Sequence, residues 1–301
     1  MIYDCVIVGA GIAGLQAAIQ LGRYTAYRIL AVDKGTGRST LCRSYHNLLG
    51  WPEGISGEEL RRRGRDQAGQ YGVQFVQDEI VRAEKQAERF LLTGSSGNTY
   101  LAKTLLLCTG VTDRMPPIPG LIPTLGRTVY ICPDCDGYEV RNRKTVVIGA
   151  GDAGASMALT LSARTSDLLY VNHDKAAVSP QQMSRLQAKG IGYEAAAVRE
   201  VATSGDGLIA GVVLEDGRRI PAERGFVAFG GNKVHSELAA QLGVRVEENG
   251  HVATDPRTKM TSVANVWVAG DLGLHSEQVT VAMGEGSLAA IWIHKTLQRY
   301  I

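Results

Sequence analysis

Short apolar runs of strand length alternate along this chain with stretches in which small and apolar residues recur at helical spacing. "DCVIV" at 4–8 is a β-branched run, "GAGIAG" at 9–14 follows at once, and "LQAAIQL" at 15–21 continues at a three-to-four residue period. That order predicts a buried strand, a glycine turn and a packed helix. A second apolar run, "RILAVD" at 28–33, closes on an acid. The succession then returns: "VVIGAGDAGASMALTL" at 146–161 matches "VIVGAGIAGLQAAIQL" at 6–21 with an offset of 140, and "DLLYVNHD" at 167–174 takes the place of the second run. Two βαβ units are predicted. Between them, "TLLLCTG" at 104–110 reads as a buried strand and "VTDRMPPIPG" at 111–120 as a Pro-rich crossover. Later, "GFVAFGGN" at 225–232 and "VWVAGD" at 266–271 read as strands ending in turns, and a helix is predicted from about 278.

Both repeats carry the dinucleotide fingerprint. The first glycine (Gly9, Gly149) allows a tight turn, the second (Gly11, Gly151) lets backbone approach a pyrophosphate, and the third (Gly14, Gly154) lets helix pack on strand. A carboxylate for a ribose hydroxyl is expected about 20 residues on. Asp33 and Asp174 lie 19 and 20 residues past the third glycine of their motifs.

Composition narrows the class without naming a chemistry. The 301 residues suffice for two domains. Lys and Arg total 32 against 30 acids, a net charge of +2, so nucleic acid is not an expected partner. The one basic cluster, "RRRGR" at 61–65, reads as a solvated helix face. The start "MIYDCVIVGAG" lacks a basic leader, and no apolar run approaches the roughly 20 residues of a membrane helix. A soluble cytoplasmic protein is the expectation.

Five cysteines occur: Cys5 and Cys108 in apolar runs, Cys42 in a polar loop, and Cys132 with Cys135 in "CPDCDGYE" at 132–139. A zinc site needs about four ligands, but no second C-x-x-C exists and the histidines are scattered at 46, 173, 235, 251, 275 and 294. Two structural core cysteines would need neither the intervening proline nor the following acid. The spacing suits a redox dithiol, with both sulfurs able to meet at a helix start where the thiol pKa falls. Asp136 stands ready to carry a proton, whereas Asp134, between the sulfurs, should oppose thiolate formation.

The order glycine motif, "CTG", C-x-x-C-D-G, second glycine motif, "AGD", Gln, helix resembles the low-molecular-weight thioredoxin reductases and their flavin disulfide oxidoreductase relatives over nearly the whole chain. The resemblance implies an α/β fold of two Rossmann-like dinucleotide-binding domains, the second inserted in the first. Residues 1–113 and 244–301 would form an FAD domain, and 114–243 a second dinucleotide and redox-disulfide domain. It assigns Gly9, Gly11 and Gly14 to the FAD pyrophosphate, Asp33 to the adenosine ribose, Thr109 and Gly110 to the turn under the cofactor, and Asp271 to the ribityl and pyrophosphate region. Gln278 would lie beside the flavin ring, with its helix aimed at the pyrimidine edge, and Asn47 joins the cofactor-binding set. By the same pattern Cys135 faces the flavin, Cys132 exchanges with the partner, and Asp136 moves the proton. A homodimer is implied.

The second motif departs from the reductase pattern. NADPH-dependent members carry a basic H-R-R cluster after the second strand of the inserted domain; "VNHDKAAVSP" at 171–180 has no arginine, and Asp174 stands where positive charge is wanted. The motif is G-x-G-x-x-G rather than G-x-G-x-x-A, and Glu277 precedes Gln278 where the reductases often have arginine. Three occupants of the second site stay open: NADH, a second FAD as in the diflavin-linked disulfide oxidoreductases, which this chain resembles in "CPDCDGYE" and in the missing basic cluster, or none. NADPH is disfavoured. The expected function is FAD-dependent thiol–disulfide exchange between flavin, the Cys132–Cys135 pair and a thioredoxin-like protein or small dithiol. An NAD(P)H-dependent thioredoxin reductase and a non-catalytic nucleotide-binding redox sensor are the alternatives.

Overall fold

A computed structural model describes residues 1–25, 27–274 and 276–300. Its contacts divide the chain into two compact units: residues 1–40, 56–112 and 233–301, and residues 41–55 and 113–232.

The first unit is built on a seven-stranded sheet. Strands β1 (Ile2–Val8), β2 (Ile29–Asp33), β3 (Gln74–Gln77) and β6 (Thr99–Leu107) run parallel in the order β3-β2-β1-β6. The first half of β6 pairs antiparallel with β5 (Arg89–Gly94), which pairs with β4 (Ile80–Gln86); its second half pairs parallel with β17 (Val266–Val268). Helices α1 (Ile12–Gly22), α3 (Gly57–Gly69) and the long α9 (Val279–Leu297) belong here, with the short α2 (Arg38–Leu41) and α8 (Glu237–Gln241). Helix α9 lies directly on α1: a methyl group at Gly286 would stand 2.2 Å from Ala13 O. Helix α3 is begun by Ser56, whose hydroxyl accepts from Glu59 N–H at 3.1 Å.

The second unit has a five-stranded parallel sheet in the order β11-β10-β9-β15-β8: Gly192–Glu194, Leu168–Asn172, Thr145–Gly149, Arg224–Ala228 and Val129–Tyr130. Helices α6 (Gly151–Leu161) and α7 (Pro180–Ala188) follow β9 and β10, the short α4 (Leu121–Thr124) and α5 (Pro133–Asp136) precede β9, and β12 (Val198–Ser204), β13 (Leu208–Leu214) and β14 (Arg219–Pro221) form an antiparallel ribbon. Both βαβ repeats thus fold as the patterning predicts, each at the centre of its own sheet.

The unit boundaries differ from the sequence-based ones. The return to the first unit falls at 232/233 rather than 243/244, because β16 (Lys233–Val234) pairs antiparallel with β7 (Val111–Thr112). Residues 41–55, expected in the first domain, pack with the second unit: Leu41 O and Arg43 N press on Gly126, where a methyl group would meet them at 2.7 and 2.5 Å. Among the described residues no helix is long and apolar enough to cross a membrane.

Candidate active site

In the first unit, Gly9 ends β1 at φ +97°, and its N–H donates to Val32 O at 2.8 Å. A methyl group there would stand 2.3 Å from Cys108 O, and one at Gly14 would stand 2.0 Å from Gly9 O. These two glycines let strand, turn and helix touch. Gly11 is different. Its φ is −70°, open to any residue, and a methyl group there would meet no atom within 4 Å. The bare backbone at the start of α1 serves no neighbour in the protein and suits an anion on the helix N-terminus. Thr109 and Gly110 (φ +65°) leave β6 alongside it, tied down by Thr109 Oγ1 donating to His235 O at 2.6 Å and His235 N–H donating to Gly110 O at 3.0 Å.

Asp33, at the end of β2, is buried and accepts Ala10 N–H on Oδ1 at 3.1 Å. Its Oδ2 accepts from Arg61 at 2.7 Å, with Arg65 at 3.7 Å. The solvated face expected of 61–65 therefore holds for only part of the run. Arg62 and Arg63 do face solvent, paired with Glu59.

At the other end of the first unit, Gly270 (φ +76°) turns the chain after β17 toward α9. Buried Glu285, one helix turn and more into α9, accepts Gly270 N–H at 3.1 Å and Lys259 Nζ at 2.7 Å, which locks that turn. Asp271 follows and accepts from Arg38 at 3.3 Å; Arg38 also pairs with Glu277. Gln278 stands at the N-cap position of the 19-residue α9 without capping its amides, and its Oε1 accepts from Thr280 Oγ1 at 3.0 Å. No acid occupies the first turn of α9, and Glu277 immediately precedes its N-cap position. Sequence reasoning did not find Arg38 or Glu285. Asn47 is exposed in the 41–55 segment of the second unit, and its cofactor role rests on the resemblance alone.

The dithiol lies in the second unit. Cys132 begins α5, Pro133 takes the first helical position, and Cys132 Sγ accepts Cys135 N–H at 3.2 Å. Both cysteines are thiols here. The Cys132 thiol is held below its ordinary 9.0, first by a hydrogen bond from the Cys135 side chain and then by the Cys135 and Asp134 amides, against the opposing effects of burial and the Asp136 charge. Asp134 is exposed, and its N–H is one of the donors that lower the Cys132 thiol. Burial, with the nearby Glu139 charge, pushes Asp136 up to about 7. A thiol biased toward thiolate and an acid that changes charge near neutrality share one helical turn. Cys42 is also in this unit: burial and the charge of Asp136 push it up to about 12, which leaves it protonated. Among the described residues no group of three His, Cys, Asp or Glu could hold a metal; His275 lies outside them.

The second glycine motif repeats the first with two differences. Gly149 and Gly154 are again packing positions, with methyl groups at 2.4 Å from Ala228 O and 2.3 Å from the Tyr170 ring. Gly151, however, has φ +50° and itself starts α6. The second difference concerns the acid. Gly149 pairs with Asn172, and Asn172 Oδ1 accepts Gly151 N–H at 3.2 Å, as Asp33 accepts Ala10 N–H. The structural counterpart of Asp33 is therefore Asn172. Asp174 lies two residues past the strand, exposed, with its carboxylate on Arg114 at 2.7 Å. Arg114 comes from 60 residues earlier and also lies over the Phe229 ring at 5.7 Å. The sequence put Asp174 at the second ribose with no arginine near it in the chain; in the structure Asn172 holds the register position of Asp33, and the arginine beside Asp174 comes from a distant segment.

A family model described as pyridine nucleotide-disulphide oxidoreductase matches residues 3–286. A thioredoxin reductase of Treponema pallidum is 32% identical over 298 residues, covering 96% of this chain and 95% of that protein. A thioredoxin reductase of Neurospora crassa is 28% identical, covering 98% and 93%. The solved structure of HlmI superposes with a TM-score of 0.88 at 27% identity, covering 98% of this chain and 92% of that one.

Proposed function

The chain belongs to the pyridine nucleotide-disulphide oxidoreductase family, a family of enzymes whose thioredoxin reductases use FAD and a nicotinamide site, and on that premise we propose that it is an FAD-dependent thiol–disulfide oxidoreductase. FAD supplies a two-electron acceptor and donor. Gly9, Gly11, Gly14, Thr109 and Gly110 would cradle it, Asp33 would accept from its adenosine ribose, and Asp271, Gln278 and the α9 N-terminus would meet its ribityl chain and flavin. The partner is a thioredoxin-like protein or a small dithiol, and the active form a homodimer.

The observation that carries this reading is the pairing of Cys132, thiolate-biased, with Asp136 near neutrality in one turn. Cys132 thiolate attacks the partner's disulfide, forming a mixed disulfide and releasing one partner thiolate, which takes up a proton. Cys135, deprotonated by Asp136, then displaces the partner's second sulfur from Cys132, leaving a Cys132–Cys135 disulfide and a reduced partner. The same steps run backward when the partner is the electron source. Run backward, Asp136 must hold the proton that Cys135 takes up as it leaves, so oxidation of the partner's dithiol should slow through this step as pH rises through about 7, and reduction of the partner should accelerate. In Asp136→Asn, pH profiles of dithiol oxidation should lose that limb.

Asp136 also affects stability, and the sign is fixed. Its folded-state pKa of about 7 lies above the ordinary 3.8, so the folded state binds the proton more tightly. Its contribution is present below pH 3.8 and is lost as pH rises to about 7. Asp136→Asn should therefore match wild type in Tm near the low end of that window and exceed it above the high end. Thermal melts across pH check this; a variant less stable than wild type at alkaline pH would contradict it.

NADPH is not the efficient donor in this reading. The support is local. The two cations flanking the end of β10 are both paired, Arg114 with Asp174 at 2.7 Å and Lys175 with Glu215 at 3.8 Å. A 2′-phosphate would have to displace one of those carboxylates. NADH or a second FAD would meet no such demand, and the G-x-G-x-x-G spacing of the second motif fits either; the likeness of "CPDCDGYE" and of the missing basic cluster to the diflavin-linked enzymes supports the diflavin form. Flavin counted against chain in the purified protein, with anaerobic reduction by NADPH and NADH in parallel, decides. Two flavins per chain are expected, with slow reduction by NADPH; fast reduction at micromolar NADPH would restore the ordinary thioredoxin reductase.

A further inference from the structure

The arginine run at 61–65 was legible only as surface charge, yet Arg61 turns inward and Arg65, though exposed, leans toward the same carboxylate. Arg61 and Arg65 are four residues apart on α3 and share the face toward the end of β2. The Arg61 side chain is only 11% exposed. Its guanidinium donates to Asp33 Oδ2 at 2.7 Å, to Gly35 O at 3.3 Å and to Ser39 Oγ at 3.5 Å. Gly37 leaves it room: a methyl group there would stand 3.3 Å from Arg61 Nη1. Arg65 lies over the Phe75 ring at 4.9 Å.

We propose that Arg61 is a positioning residue for the adenosine ribose, holding the Asp33 carboxylate in the orientation in which it accepts from the ribose hydroxyls. This rests on FAD occupying the first unit's cradle. A carboxylate offers about four acceptor positions on its two oxygens. One oxygen takes Ala10 N–H and the other takes Arg61, so the plane of the group is fixed from both sides. What remains is one acceptor position on each oxygen, a pair suited to the vicinal hydroxyls of a ribose. Without Arg61 only the Ala10 contact restrains the plane, and the buried Oδ2 loses its close cationic donor. Arg65, at 3.7 Å and more exposed, supplies charge but no short hydrogen bond.

A thermodynamic cycle tests this. The FAD-stripped protein is titrated with FAD and with an FAD analogue lacking the adenosine 2′-hydroxyl, in wild type and in Arg61→Met, following flavin fluorescence. A hydrogen bond to a charged group is worth about 1.5–3 kcal/mol, so Arg61→Met should weaken FAD by roughly ten- to a hundred-fold. The analogue, unable to use Asp33 fully, should lose several-fold less. Any general effect of charge on the pyrophosphate is common to both ligands and cancels. Arg61→Lys, which keeps the charge without the planar fork, should fall between and provides the cycle if the methionine variant does not fold. Equal losses for both ligands, or no loss, would overturn the proposal. A wild-type protein that binds neither ligand would instead overturn the assignment of FAD to this cradle.

Discussion

Replacing Cys132 or Cys135 by serine is expected to abolish thiol–disulfide turnover while FAD stays bound. Neither cysteine belongs to the glycine motifs, to Asp33 or to the turn before α9, so the cofactor site has no reason to change. The fold should survive as well. Cys132 caps α5 by accepting Cys135 N–H at 3.2 Å, and a serine hydroxyl is a good acceptor in that position. The two variants should fail differently. Cys132→Ser lacks the attacking sulfur and should not react with the partner at all. Cys135→Ser retains the attack but cannot release, so the partner should accumulate as a mixed disulfide on Cys132, visible by mass spectrometry under non-reducing conditions. Cys42 is not a substitute, since burial keeps it protonated. Near-normal turnover in either variant would refute the redox assignment, and a trapped partner on Cys135 rather than Cys132 would reverse the order of the two sulfurs.

Gly11→Ala should produce an equally large loss by another route: a folded protein that no longer retains FAD. At φ −70°, with no atom within 4 Å of the added methyl group, alanine brings neither strain nor clash. It reduces the freedom of the unfolded chain, worth about 0.4–1 kcal/mol, so the cofactor-free protein should melt at or slightly above wild type. The methyl group nevertheless projects where an anion must approach the α1 amides, and the affinity for FAD should fall by about a hundred-fold or more, the scale of losing two charge-assisted hydrogen bonds. Gly9→Ala is the contrast. There φ is +97° and the methyl group would lie 2.3 Å from Cys108 O, so that variant should lose the fold with the cofactor. Flavin retained through gel filtration, set beside the melting temperature, separates the two. Tight FAD binding by a well-folded Gly11→Ala protein would remove the pyrophosphate from this turn.

The parts of the site that were legible in the sequence are those written in adjacent residues. The two glycine motifs and C-P-D-C carry their chemistry in short spacings, and both repeats fold as βαβ units where the motifs stand. What escaped depends on chain separations that hydropathy does not record. Arg61 reaches Asp33 over 28 residues and Arg114 reaches Asp174 over 60. The four-residue spacing of Arg61 and Arg65 did hold a signal, since it sets them on a different helix face from Arg62 and Arg63. Counting residues from Gly154 selected Asp174 because it is an acid, but strand register decides which side chain reaches the motif, and β10 ends at Asn172. The later unit boundary was hidden for a similar reason. A two-residue pairing, Lys233 with Thr112 and Val234 with Val111, is too short to leave an apolar run.

Electrons are expected to pass between an external dithiol and FAD by way of Cys132 and Cys135. The most direct test is anaerobic mixing of the oxidised, FAD-loaded protein with excess reduced dithiol, recording the flavin's visible absorbance and the free thiols per chain together. The absorbance should bleach in the wild-type protein and persist in both serine variants. A flavin that stays yellow while Cys132 and Cys135 become thiols would contradict this route.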